Sequence, residues 1–71
     1  MYSWAKEKAY KERRAAQAAA EMEAAIATVD RPRFEAAYEN AMRYMNPRPR
    51  GVYYRRMLAA TSAARKANPV D

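Results

Sequence analysis

The sequence predicts an all-α fold: a long N-terminal helix followed by two shorter ones, packed as a small bundle or left as an open helical hook. Three observations carry that expectation. Eighteen of the 71 residues are alanine, the strongest helix former. Prolines at 32, 47, 49 and 69 fall between helix-like stretches rather than inside them. No apolar–polar alternation runs long enough for a strand, and no internal repeat is present.

The first helix is expected over residues 3–29, with Ser3 as N-cap. Glu7 with Lys11 and Lys8 with Glu12 are i,i+4 pairs that support it. Trp4, Ala15, Ala18, Met22, Ala25, Ile26 and Val29 share one side, a stripe of mostly small residues that lets another helix approach closely. After a joint at 30–31, a second helix is expected over 32–45, capped by Asp30 and opened by Pro32. Phe34, Ala37, Tyr38, Ala41, Met42 and Met45 form the clearest amphipathic pattern in the chain. Asn46 as a left-handed cap and Pro47 should stop this helix. The stretch 46–51, Asn-Pro-Arg-Pro-Arg-Gly, then reads as an extended joint, and a third helix is expected over 52–67 with Tyr54, Met57, Leu58, Thr61 and Ala64 facing the core. The whole, residues 1–71, makes one small domain.

Alanine builds helices but buries little area. Ile, Leu, Val and Phe together number six, so modest stability is expected, completed by self-association or by a partner. Met42, Met45 and Met57 are expected to fill core gaps, although methionines at such spacing also line adaptable partner grooves.

Composition narrows function mainly by exclusion. The chain has no cysteine and no histidine, which removes disulfides, thiolate nucleophiles and the usual metal and triad constellations. Glu21 with Glu23 and Glu35 with Glu39 are the closest carboxylate pairs, and they read as solvated helix surface rather than acid–base machinery. A single glycine leaves no phosphate-cradling loop. We therefore expect no enzyme, no cofactor and no metal. Gln17, Glu21 and Glu23 interrupt the most apolar stretch, and Glu7 and Glu12 spoil a signal-peptide reading. The third helix lacks the bulky apolar face that insertion into a lipid surface needs. A soluble, intracellular protein, cytoplasmic or virion-associated, is expected, with no role at a membrane.

Charge is the most specific feature. The net charge is +6, distributed as +3 over residues 1–14, −3 over 15–30, +1 over 31–45 and +5 over 46–71. Between Glu39 and Asp71 there is no acid, while Arg43, Arg48, Arg50, Arg55, Arg56, Arg65 and Lys66 all fall there. Arg65 and Lys66 suit a helix C-terminus. Arg55 and Arg56 would sit in the first turn of a helix starting at 52, beside free N–H groups, with Arg48 and Arg50 held extended before them. That would be an anion site. The alternative is a solvated joint whose arginines pair with Glu21, Glu23 or Asp30.

Two function classes follow. One is a protein-interaction module (an adaptor, inhibitor or assembly component) that docks on a larger acidic partner or self-associates through its alanine-rich first helix. Arg48, Arg50, Arg55 and Arg56 would anchor it, with Tyr53, Tyr54 and Trp4 as aromatic contacts. Compact basic proteins of this kind are common among virus-encoded modulators and minor virion components. The other is a nucleic-acid-binding accessory protein that grips the phosphate backbone through the 48–56 arginines, with Tyr53 or Tyr54 stacking. The six-residue joint is too long for the turn of a helix-turn-helix.

Overall fold

In the computed structural model of the chain, the described residues run from Trp4 to Ala67. They form three helices, α1 (Trp4–Ala27), α2 (Arg31–Tyr44) and α3 (Pro47–Ala67), with no strand among the described residues. The expected Ser3 cap lies outside the described residues, and so do Asn68 and Pro69, the sequence signal for the end of the third helix.

α1 ends at Ala27, two residues before the expected Val29, because the chain there turns sharply. The Asp30 N–H reaches back to the Ala25 carbonyl at 2.8 Å, and the Val29 N–H to that of Ile26 at 3.2 Å. This paired closure is a Schellman motif, which puts its middle residue in the left-handed region. Here that residue is Val29, at φ 51°, the only non-glycine with positive φ among the described residues. The Thr28 hydroxyl donates to the Ala24 carbonyl at 2.9 Å and satisfies one more terminal acceptor.

Asp30 closes one helix and opens the next. Its side chain accepts from the Arg33 N–H at 3.2 Å and its carbonyl accepts from the Phe34 N–H at 3.0 Å, so it is the N-cap of α2, as expected. Pro32 sits in the first turn, where its missing N–H costs nothing.

The second joint departs from expectation. It is not the extended segment 46–51: α3 begins at Pro47, five residues before the expected start at 52. Proline fixes φ near −65°, a value that serves the first turn of a helix as well as an extended chain, and Pro47 and Pro49 both fall in that turn. Met45, not a left-handed Asn46, ends α2, with extended backbone at φ −107° and ψ 149°. The Asn46 carbonyl then accepts the Arg50 N–H at 3.3 Å and starts α3. Gly51, the chain's one glycine, is helical with negative φ.

α1 and α2 form the main contact, and α3 touches each of them less. The buried residues are Ala18, Met22 and Ala25 of α1, Phe34, Ala37 and Ala41 of α2, and Met57 alone of α3. Ile26, Tyr38, Met45 and Tyr53 pack around this cluster. Met42, Tyr54 and Leu58, expected on core-facing sides, are exposed instead, whereas Tyr53 turns inward. For α3 the cause is its one-line contact. Arg50, Tyr53, Met57, Ala60 and Thr61 are its covered side, and Leu58, next to Met57, already points a quarter-turn away.

Three rings tie α2 to α3: Phe34 and Tyr38 lie 5.7 Å apart, and Tyr54 sits 6.4 Å and 5.5 Å from them respectively. The radius of gyration is 15.0 Å, against about 11 Å for a compact domain of this length. The molecule is an elongated hook rather than a rounded bundle.

Two substitutions with opposite logic test the backbone. Val29→Gly removes a β-branched side chain from the left-handed region and should stabilise the fold by about 1 kcal/mol. Gly51→Ala should stabilise it by about 0.5–1 kcal/mol, since an added Cβ would meet only an Arg55 side-chain nitrogen at 3.8 Å. Each gain should raise Tm by about 4–8 °C per kcal/mol in a thermal melt followed by circular dichroism. Met57→Ala should cost about 2–5 kcal/mol, with loss of amide-exchange protection concentrated in α3.

A candidate interaction face on the third helix

Because α3 starts at Pro47, the four arginines between 48 and 56 take different helical positions from those expected, while Arg65 falls in the last turn as expected. Arg48 and Arg50 lie in the first turn, and Arg55 and Arg56 stand two turns further in. An anion site made of Arg55, Arg56 and free helix-terminal N–H groups is therefore not formed. The two prolines also lack the N–H groups that such a site would use, which leaves the first turn poor in donors.

The structure divides the six candidate residues into two groups. Arg50, Tyr53 and Arg56 are taken up by the fold. The Arg50 guanidinium lies 5.8 Å from the centre of the Tyr38 ring, and its Nη1 donates to the Met42 carbonyl at 3.5 Å. Arg56 makes a two-pronged pair with Glu23 of α1. Its Nη1 donates to Oε1 and its Nη2 to Oε2, the latter at 2.9 Å, while the guanidinium covers the Tyr53 ring at 5.6 Å. Glu21 and Glu23 project to opposite flanks of the Met22 line, so α2 takes one and α3 the other: Arg33 Nε donates to Glu21 Oε2 at 3.0 Å. The pairing of arginines with α1 acids is thus realised at Arg56.

Arg48, Tyr54 and Arg55 form the outward group. Tyr54 shows an edge beside the α2 rings. Arg48 and Arg55 are exposed, with no hydrogen bond or ion pair to any described residue. They belong to a longer line: Arg48, Val52, Arg55, Ala59, Ser62 and Lys66 follow each other at alternating four- and three-residue steps, half a turn around from Met57, and all are exposed. The line is about 27 Å long. No acid stands anywhere on α3. Leu58 and Tyr54 add apolar surface beside it.

Val52 was not singled out from sequence, and Lys66 was read only as a cation suited to the helix C-terminus. Starting the helix at Pro47 would have revealed the line, since its spacing is regular from Arg48 onward.

Trp4 stands apart. It is 64% exposed, and its ring meets the Lys8 ammonium, 5.9 Å from the ring centre. On the flank of the α1–α2 pair that carries Glu21, an open groove of about 370 Å³ is floored by Ala18 and Ala37 and edged by Arg14, Gln17, Glu21 and Asn40. Among the described residues, no cluster of acids is placed to hold a metal ion. No described helix is long and apolar enough to cross a membrane.

No protein-family model matches this chain, and no curated protein or solved structure matches it either.

The Glu23–Arg56 pair has a pH signature. Hydrogen bonding from Arg56 holds the Glu23 carboxyl below the usual range against an opposing desolvation, with a lesser contribution from the Arg56 charge, and Glu23 raises Arg56 in turn. A carboxyl lowered by folding adds stability that is present above its unfolded value, about 4.3, and is lost as pH falls through the lower folded value. Arg56→Gln should therefore flatten the acid limb of the stability–pH curve below about pH 4.5. Urea melts from pH 2 to pH 7 would show it, and an unchanged acid limb would refute the assignment.

Proposed function

We propose that the protein is a non-enzymatic interaction module that docks on an acidic partner protein through the outward line of α3. One observation carries this reading: Arg48, Arg55 and Lys66 stand in line, unpaired among the described residues, on a helix without a single acid, with Val52 between the first two. A helix that only needed solubility would interleave both signs. Three cations of one sign, next to exposed Val52, Tyr54 and Leu58, combine the arginine and apolar contacts that protein interfaces concentrate. Glu21 and Glu23 of α1 supply no equivalent acidic face to a second molecule docking from outside, because both are already paired within the chain.

A second reading is contact with a nucleic-acid backbone, favoured by the same three cations spread over about 27 Å. Stacking by Tyr53 has lost its support, since Tyr53 packs against the core beneath Arg56.

The two readings separate in one experiment. The chain would be purified from its source at mild salt, with and without nuclease, beside the variant carrying Arg48→Glu, Arg55→Glu and Lys66→Glu. All three residues are exposed and unpaired among the described residues, so the variant should keep the wild-type helical signal. A protein partner that survives nuclease and is lost from the variant is the expected result. Loss on nuclease treatment would transfer the role to nucleic acid, with a salt slope of about −3 on duplex DNA from three phosphate contacts. A partner retained by the triple variant would sink the α3 line altogether.

A further inference from the structure

The corner between α1 and α2 has the makings of an exchange hinge. It is only three residues long, Thr28 to Asp30, and holds Val29 at φ 51°, where a β-branched side chain is strained. Opening the corner relieves that strain. The corner cannot open by fusing α1 to α2 into one straight helix, because the Pro32 ring would strike the Thr28 carbonyl four residues back. Asp30 meanwhile keeps its cap on α2. Opening is thus confined to Thr28 and Val29, and swings α1 away as a rigid unit.

What α1 leaves behind is a face that fits one occupant. Without Ala18, Met22 and Ala25, the buried Phe34, Ala37, Ala41 and Met57 lose their cover. Charge narrows the occupant further. The 15–27 stretch of α1 carries −2, from Glu21 and Glu23, the two acids that pair with α2 and α3. Residues 31–67 carry +7, from nine basic and two acidic side chains. A second copy that inserts its own α1 restores the Glu23–Arg56 and Glu21–Arg33 pairs and the whole apolar cluster across the chains. We infer that the protein forms a dimer with a second copy of itself by exchanging α1 about Val29, each α1 packing on the α2–α3 pair of the other chain. This dimer leaves the outward line of α3 free on both copies, so it stands or falls independently of the docking partner.

Charge complementation tests it. Chains carrying Glu23→Arg and chains carrying Arg56→Glu each place like charges together, both in the closed monomer and in any dimer of identical chains. An exchanged dimer of one of each is complementary at both sites. At one site the two introduced side chains meet, an arginine at position 23 and a glutamate at position 56. At the other, the native Glu23 and Arg56 pair as before. The two chains are unfolded in denaturant, mixed and refolded together at high concentration, then weighed by native mass spectrometry. The expected product is a one-to-one dimer in several-fold excess over either dimer of identical chains. Adding Val29→Gly to both chains should weaken it about fivefold per hinge, or about thirtyfold in all, by removing the strain that opening relieves. Failure of the mixture to yield the mixed dimer overturns the proposal, whether or not the single chains fold alone. A statistical mixture of dimers, or a mixed dimer indifferent to Val29→Gly, overturns it equally.

Discussion

Close contact between two alanine-bearing helices governs this molecule. Ala18 and Ala25 on one side and Ala37 and Ala41 on the other let the backbones of α1 and α2 approach with little between them. The same choice starves the interior of bulk, for an alanine buries a fraction of what a leucine would. Met22, Phe34 and Met57 supply most of the remaining volume, one from each helix. The third helix is consequently held by a narrow strip: one buried methionine, a ring cluster, and the Arg56–Glu23 pair that fixes its height against α1. Everything on the far side of α3 is left to solvent or to a partner.

The parts of this arrangement that were legible in the sequence are those where local chemistry and packing agree. Asp30 and Pro32 form a start signal that tertiary structure had no reason to override, and Phe34, Ala37 and Ala41 follow the helical period into the core. The Pro-Arg-Pro-Arg stretch misled because proline constrains φ and says nothing of ψ, and the two conformations it permits differ only there. From that one choice came the misplacement of Arg55 and Arg56 on α3, and with it the supposed anion site. The exposure of Leu58 was illegible for another reason. A helix with one neighbouring line of contact buries a narrower stripe than the period suggests, and the sequence does not state how many neighbours a helix has. Val29 was read as the last residue of a helical stripe, and nothing in its side chain announces a left-handed turn.

The division of the arginines is the result that most alters the functional picture. Along the chain, the four arginines between 48 and 56 look like one cluster. In space they are two pairs with different work. Arg50 and Arg56 spend their charge on the Tyr38 ring and the Glu23 carboxylate, and hold α3 to the other helices. Arg48 and Arg55 make no hydrogen bond or ion pair with any described residue and line up with Lys66. A helix interior to its own protein on one side and without acids on the other meets the minimum requirement for a docking element, because its inner side fixes the geometry that its outer side presents.

The outward line also lacks any group that titrates near neutrality. The chain contains no histidine, and arginine keeps its proton throughout the physiological range. A partner held by Arg48 and Arg55 would not be released by endosomal or other mild acidification on this protein's account. Ionic strength can loosen such a contact, and so can a change in the partner's own acids. Control of such an encounter would then belong to the surroundings and to the other molecule, with this surface constantly on offer.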